Sequence, residues 1–284
     1  MKIEGIPHYR DLDLSGEARA AAERLEDRAR EAASDSMFDE LVVPLLEPPP
    51  ANVLEVGCGT AALSRRIARL LPGATVHATD KSEGMLAAAR EYAESEARAN
   101  AGANASGKLI LGRWDALDAG SFPFEPGLRF GLILSSVVVP YLDDGQTAAL
   151  VRDLASRLAP GGVLAFIEQD LQTDAVNFPR FDLARRVLDK DGRDLKTTLT
   201  LGVRPLLREA GLEPLPRRSF LWTDDGYGPY TRELLGRLAD AALEAGRITA
   251  AECEEWGIGL EALADSGDFY YGLVYHRVAG RVPA

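Results

Sequence analysis

A carboxylate placed two residues ahead of a glycine pair, in Glu55-Val56-Gly57-Cys58-Gly59, is the most chemically specific spacing in this chain. Glycines there let the backbone turn sharply and approach a ligand, since a Cβ would block both the turn and the approach. The charge of Glu55 narrows the ligand: it repels a pyrophosphate and attracts an ammonium or a sulfonium. Gly57-x-Gly59-x-x-Ala62 also satisfies the dinucleotide fingerprint, so the glycines alone leave a nucleotide open, and Glu55 tips the balance toward a cation. Asp80 follows about twenty residues later, a spacing at which a carboxylate accepts ribose hydroxyls. Trp114-Asp115 sets an aromatic ring beside a carboxylate acceptor. Glu168 and Asp170, in Ile167-Glu168-Gln169-Asp170, are the acids best placed to serve as a general base. His77 and His276 fall inside strand patterns and read as structural, whereas His8 lies in a leading segment beside Tyr9. The two cysteines, Cys58 and Cys253, offer neither a disulfide framework nor a metal spacing, and Cys58 reads as a small packing residue in the turn.

These groups need elements that bring them to one edge. Val53, Leu54 and Val56 predict a buried strand, and residues 61–68 resume at helical spacing after the glycines. A strand, a glycine turn and a helix opening carry backbone to the carboxyl edge of a parallel sheet. Strands are then expected over 75–79, 108–112, 132–135 and 163–167, alternating with helices over 82–96 and 144–158. That alternation predicts an α/β fold whose sheet is covered on both faces. Residues 16–46 are helical in pattern, and Pro48-Pro49-Pro50 forms a stiff connector into the first strand. Residues 97–107 read as a surface insertion. Further on, a helix closes over 206–210, strands run over 219–223 and 269–278, and 231–245 is helical. The expected division is an N-terminal helical segment or lid over 1–50 and a domain over 51–284, with insertions at about 171–205 and 223–268.

On Glu55-Val56-Gly57-Cys58-Gly59, with Asp80, Trp114-Asp115, Ser135-Ser136 and Pro160-Gly161-Gly162 following in order, the chain resembles the class I S-adenosylmethionine-dependent methyltransferases of the small-molecule type. The likeness runs from about Val53 to Asp170. It implies a Rossmann-like, doubly wound, mostly parallel seven-stranded sheet with helices on both faces, and S-adenosyl-L-methionine as cofactor. It implies cofactor contacts at Glu55, Gly57, Cys58, Gly59 and Asp80, and also at Lys81, Met85, Trp114, Asp115 and Ser135. Met85 would lie against adenine, and Ser135 would pass the methionine portion. Asp170 is then the expected base. Tyr141, Glu168, Tyr230 and Tyr9 are expected around the acceptor, Tyr230 from a turn-rich segment over the pocket. The chain departs from the family pattern at Ala61, where a third glycine is usual. It departs again at Phe130-Gly131, where an acid often begins the fourth strand, and at Val139-Pro140-Tyr141, where a histidine is common.

Composition sets outer bounds. A formal net charge of −12 supplies no basic field for a nucleic acid, so a small-molecule acceptor is expected and a nucleic-acid partner is not. No run of 18 apolar residues occurs, and Met1–His8 lacks a secretory apolar region, so no membrane partner and a cytoplasmic location are expected. No metal is expected, and the residues favour neither a monomer nor a homodimer. The leading reading is O- or N-methylation of a small organic acceptor, in secondary metabolism by analogy. A second reading is a cofactor-binding protein of the same fold that transfers no methyl, such as a cyclisation catalyst or a binding module. A nicotinamide oxidoreductase is a third; Glu55, the Trp114-Asp115 pair and the absence of a Tyr-x-x-x-Lys motif count against it.

Overall fold

The computed structural model describes residues 12–99, 107–189 and 199–283. Five strands form the parallel part of one sheet: β1 (Asn52–Val56), β2 (Thr75–Asp80), β3 (Lys108–Arg113), β4 (Phe130–Ser136) and β5 (Leu158–Val176). They lie in the order β3-β2-β1-β4-β5, so the direction of winding reverses between β1 and β4. An open α/β sheet binds its ligand outside the carboxyl ends of the strands at such a reversal. The sheet continues with β8 (Tyr271–Arg281), antiparallel to β5. On the far edge of β8 lie β6 (Glu213–Pro214), opposite residues 280 and 281, and β7 (Arg218–Asp224), opposite 271–277. Eight strands therefore fill seven places, as the resemblance implied, with the last place divided.

Strand alternation sorts the core into two layers. Val53, Leu132, Leu134, Val163, Ala165 and Ile167 face one way, toward α3 (Ala32–Leu41), α4 (Ala62–Leu70), α7 (Phe181–Leu188), α9 (Pro229–Glu244) and α10 (Ala250–Ser266). Leu54, Ile133, Leu164, Phe166 and Val278 face the other way, toward α6 (Asp144–Ser156) and α8 (Leu199–Glu209). Cys58 and Ala61, in the turn after β1, and Ala78 of β2 pack with Leu86 and Ala89 of α5 (Glu83–Ala99).

The N-terminal segment is bound to this framework at several points. The helical stretch expected over 16–46 is divided into α2 (Ala18–Arg30) and α3, because Glu31 between them is extended, with ψ 137°. The guanidinium of Arg65 on α4 grips the Glu26 carboxylate on α2 at 2.8 and 2.9 Å, and both side chains are buried. From α1 (Leu12–Ser15), Asp13 accepts from Ser82 Oγ at 2.5 Å and from the backbone N–H groups of Glu83 and Gly84 at 2.9 and 3.0 Å. Those backbone donors are the unsatisfied N–H groups at the start of α5, which a carboxylate suits. Arg277 on β8 donates to the Leu41 carbonyl at 3.0 Å.

Several elements differ from expectation. β5 runs well beyond the expected 163–167, so the insertion expected at 171 begins as strand, and the register to β8 slips between Asp170 and Ala175. Pro160-Gly161-Gly162 lies inside β5 rather than ahead of it, at a slip between Phe130 and Leu132 on β4. A Cβ at Gly162 would stand 2.8 Å from the Phe130 carbonyl oxygen. The last helix before β8, α10, falls where the sequence suggested only an insertion, although its capping box, Thr249 with Glu252, is a local helix-start signal. Residues 97–99 complete α5, and residues 100–106 of that expected insertion lie outside the described residues.

Candidate active site

The carboxyl edge of β1, β2, β4 and β5 opens onto a cavity of about 350 Å³ that runs beneath α2, α3 and α9. One end is the turn after β1. Gly57 and Gly59 have φ of +70° and +54°, in the left-handed region where a side chain is strained. Space forbids one as well: a Cβ on Gly57 would collide with Val138 Cγ2, and one on Gly59 would stand 2.7 Å from Leu25 Cδ1 of α2. Ala61, where a third glycine is usual, also adopts a left-handed conformation, φ +58°, with its N–H bonded to the Cys58 carbonyl at 2.8 Å. An alanine there costs on the order of 1–2 kcal/mol that a glycine would not. Cys58 is buried, its N–H bonded to the Thr79 carbonyl, and burial pushes its thiol pKa well above the ordinary value.

Two carboxylates flank the turn. Asp80 Oδ2 accepts from the Gly59 N–H at 2.9 Å, and Oδ1 accepts from the Ser82 N–H at 2.9 Å. Burial raises its pKa, while these donors pull the other way. Glu55 is nearly sealed from solvent and lines the cavity. Its Oε2 accepts from the Ser64 N–H at 3.0 Å and, by a short contact, from the Ser64 hydroxyl. Desolvation pushes its pKa up to about 7 against the Ser64 hydrogen bonds. A carboxyl so poised ionises readily when a cation arrives beside it.

Next to this turn the wall mixes apolar and charged side chains. Lys81, Met85, Trp114, Asp115, Ala116 and Leu117 line it, all but Met85 within a few residues of the end of β2 or β3. Met85 also packs against Leu12, Ala21 and Ala22 of the N-terminal helices. Trp114 is fixed by its own contacts: its indole N–H donates to the Asp118 carbonyl at 3.0 Å and Phe122 meets it edge-on. Asp115 Oδ1 accepts from the Leu117 N–H at 3.0 Å, closing an Asx turn.

At the far end, strand parity overturns three expectations. Ile167, Gln169 and Leu171 of β5 face the cavity; Glu168 and Asp170, one residue out of phase, face the opposite layer. Because the two acids are two residues apart they share a face, and neither is among the residues that line the cavity. Asp170 instead lies 3.3 Å from His276 Nε2 and accepts from the Gln172 N–H, and Glu168 Oε1 accepts from the N–H groups of Val138 and Val139 at 3.2 Å. Burial holds the Glu168 pKa up at about 8. Its contacts steady a corner where Val137, a cavity-lining β-branched residue, is held at φ +56°. Ser135 is likewise out of phase and fully buried; Ser136 is the serine that lines the cavity. Tyr141 and Tyr230 do line it, and Tyr9 and His8 lie outside the described residues.

Sequence reading missed Gln169, Ser136, Val137, Asp174, Tyr271 and the arginines of α2 and α9 that complete this end. Parity would have found the first two, since Leu132, Leu134 and Ser136 are in phase, as are Ile167 and Gln169. Gln169 Nε2 donates to the Tyr275 hydroxyl at 2.6 Å. Among the described residues no cluster of histidine, cysteine or acidic side chains is arranged to hold a metal.

Residues 53–162 match the family model described as "Methyltransferase domain". A ubiquinone biosynthesis O-methyltransferase from Ruegeria pomeroyi is 31% identical over 174 residues, 60% of this chain and 63% of that protein. A release factor glutamine methyltransferase from Gloeobacter violaceus is 29% identical over 178 residues, 57% of this chain and 58% of that protein. The chain thus spans about three fifths of the length of each. The crystal structure of the N-methyltransferase NodS from Bradyrhizobium japonicum, in complex with S-adenosyl-L-homocysteine, shares the fold with a TM-score of 0.51 at 15% identity, covering 90% of this chain and 91% of that one. Residues 53–162 are a class I S-adenosylmethionine-dependent methyltransferase domain, and S-adenosylmethionine is the cofactor of that family. The glycine cradle, the poised Glu55 and the apolar side chains of Met85 and Trp114 fit such a ligand.

Proposed function

We propose that this chain transfers the methyl group of S-adenosylmethionine to an oxygen or nitrogen of a small organic acceptor. The observation that carries the reading is the continuity of the cavity: it joins the glycine turn to an apolar chamber roofed by α2, α3 and α9. The cavity admits an acceptor group that can enter beneath α2, α3 and α9. Bound there, the cofactor supplies an electrophilic methyl on a sulfonium. Asp80 is the residue to accept from the ribose hydroxyls, Asp115 from the adenine amine, and Glu55 to balance the cationic end. Phe38, Leu41, Leu234 and Leu238 line the chamber and keep water from the reacting atoms. With Glu168 and Asp170 turned to the other layer, positioning is the main source of rate, and well-oriented reactants gain about 7–11 kcal/mol from it. Tyr141 and Tyr230 supply hydroxyls that orient the acceptor.

The test is to incubate the chain with S-adenosylmethionine and a library of small phenols, amines and acids, following both products by mass spectrometry. Demethylated cofactor and one methylated acceptor should appear in equal amounts. Tight binding of demethylated cofactor with no methylated product from any acceptor would leave a binding protein of the same fold, and failure to bind it would remove the reading altogether.

A further inference from the structure

Arginine is the unexpected residue in the acceptor half of the cavity. Arg24 and Arg28 lie one turn apart on α2, so they share a face, and Arg237 lies on α9, which packs against α2. All three line the cavity, in a chain whose net charge is −12. Arg24 is only 9% exposed, and its Nε is buried with no hydrogen-bond partner among the described residues. Arg237 is more exposed, 27% at its side chain, but its Nε is also buried with no hydrogen-bond partner among the described residues. Arg24 and Arg237 converge on one carboxylate, Glu233 Oε1, each at a loose 3.4 Å, and Glu233 is outside the cavity lining and substantially exposed. Arg28 is already engaged, lying over the Tyr230 ring at 6.0 Å and bonded to Tyr275.

A buried guanidinium with an unmet donor is costly, and one shared, loosely held carboxylate does not satisfy two of them. The planar fork of arginine matches a carboxylate in particular. Asp174 also lines this end, beside Tyr271. We propose that Arg24 and Arg237 form a subsite for an anionic group, so that the acceptor is a small organic acid with an apolar body and a carboxylate held under α2 and α9. This rests on the methyl-transfer reading of the same cavity and adds the substrate class to it.

The experiment measures binding to the full chain saturated with demethylated cofactor. The probes are matched pairs of acid and primary amide on aromatic and alkyl bodies, such as 3-phenylpropanoate with 3-phenylpropanamide and hexanoate with hexanamide. At least one acid should bind tenfold or more tightly than its amide. Arg24→Gln and Arg237→Gln should each remove most of that preference, and Arg24→Lys should restore part of it. Affinity for demethylated cofactor should stay within about twofold in every variant, which shows that the cofactor site and the fold are intact. If cofactor binds but every acid binds no better than its amide, the anionic subsite is wrong and the methyl-transfer reading stands. A preference for acids that survives in both glutamine variants overturns the subsite equally. Loss of cofactor binding in the parent chain would instead overturn the underlying reading.

Discussion

The acidic residues of this chain divide by what surrounds them. Glu55 has a pKa pushed up to about 7 by burial, and a cation beside it favours its ionised form. Binding of a ligand with an ammonium therefore expels a proton wherever Glu55 is part-protonated in the free chain, which is near and below pH 7. Affinity for demethylated cofactor should rise from pH 5.5 to 8, with a slope approaching one tenfold step per pH unit at the acid end. Calorimetry in two buffers of different ionisation enthalpy reads the proton release directly, and Glu55→Gln should flatten the profile. A profile that is already flat in the parent would mean that no cation sits beside Glu55. Asp170 is the opposite case. It serves His276 and the Gln172 N–H on the far layer of the sheet, so Asp170→Asn should leave kcat within about threefold of the parent, where loss of a general base costs roughly 10²–10⁴-fold. A drop of that size with unchanged cofactor affinity would return Asp170 to the mechanism.

Among the elements, α2 links the two ends of the cavity, since it supplies Leu25 above Gly59 and the arginines above the chamber. Its placement depends on the buried pair of Glu26 with Arg65, whose guanidinium also donates to the Thr60 carbonyl at 2.9 Å. Arg65 Nε also lies 3.0 Å from Glu96 Oε1, so removing Glu26 leaves the buried guanidinium one carboxylate, and the cost should fall below the about 3–5 kcal/mol of a fully stripped pair. Glu26→Ala should therefore raise hydrogen exchange over residues 18–30 and weaken cofactor binding, while exchange in β1 and β4 stays slow. Uniformly faster exchange throughout would show that the pair stabilises the whole fold rather than the docking of α2. The pattern of these elements explains what could be read in advance. Strands β1 to β4 and the glycine turn were legible because apolar runs and glycines are local signals. The length of β5 was not, because its end is held by Ala175 and Val176 pairing with Gly272 and Tyr271 of β8, a contact nearly a hundred residues away in sequence. The roles of Glu168 and Asp170 were misjudged for a related reason. A strand's parity relative to its sheet fixes which side a residue faces, and a one-residue offset inverts every assignment.

At the scale of the molecule, the turn after β1 is where strand order, helix packing and ligand all meet. β1 lies between β2 and β4 at the reversal of the sheet, Val138 closes over Gly57 from the β4 side, and α2 closes over Gly59 from above. A ligand seated there touches elements from both halves of the sheet and from the N-terminal segment, so its binding energy should be felt by the whole chain. Saturation with demethylated cofactor at about 100 times its Kd should stabilise the folded state by about 2.7 kcal/mol. For a chain of this size that corresponds to a rise in Tm of roughly 5 °C or more. NAD should give no rise, because Glu55 opposes a pyrophosphate at the turn. Gly57→Ala should abolish the response, since its Cβ must displace Val138 while the backbone remains at φ +70°. That variant also loses intrinsic stability, so the informative quantity is the ligand-dependent change measured against its own unliganded Tm. Differential scanning fluorimetry with both ligands on both proteins checks this. A rise with NAD equal to that with demethylated cofactor would assign the cleft to a dinucleotide, and an undiminished response in Gly57→Ala would place the ligand away from the glycine turn.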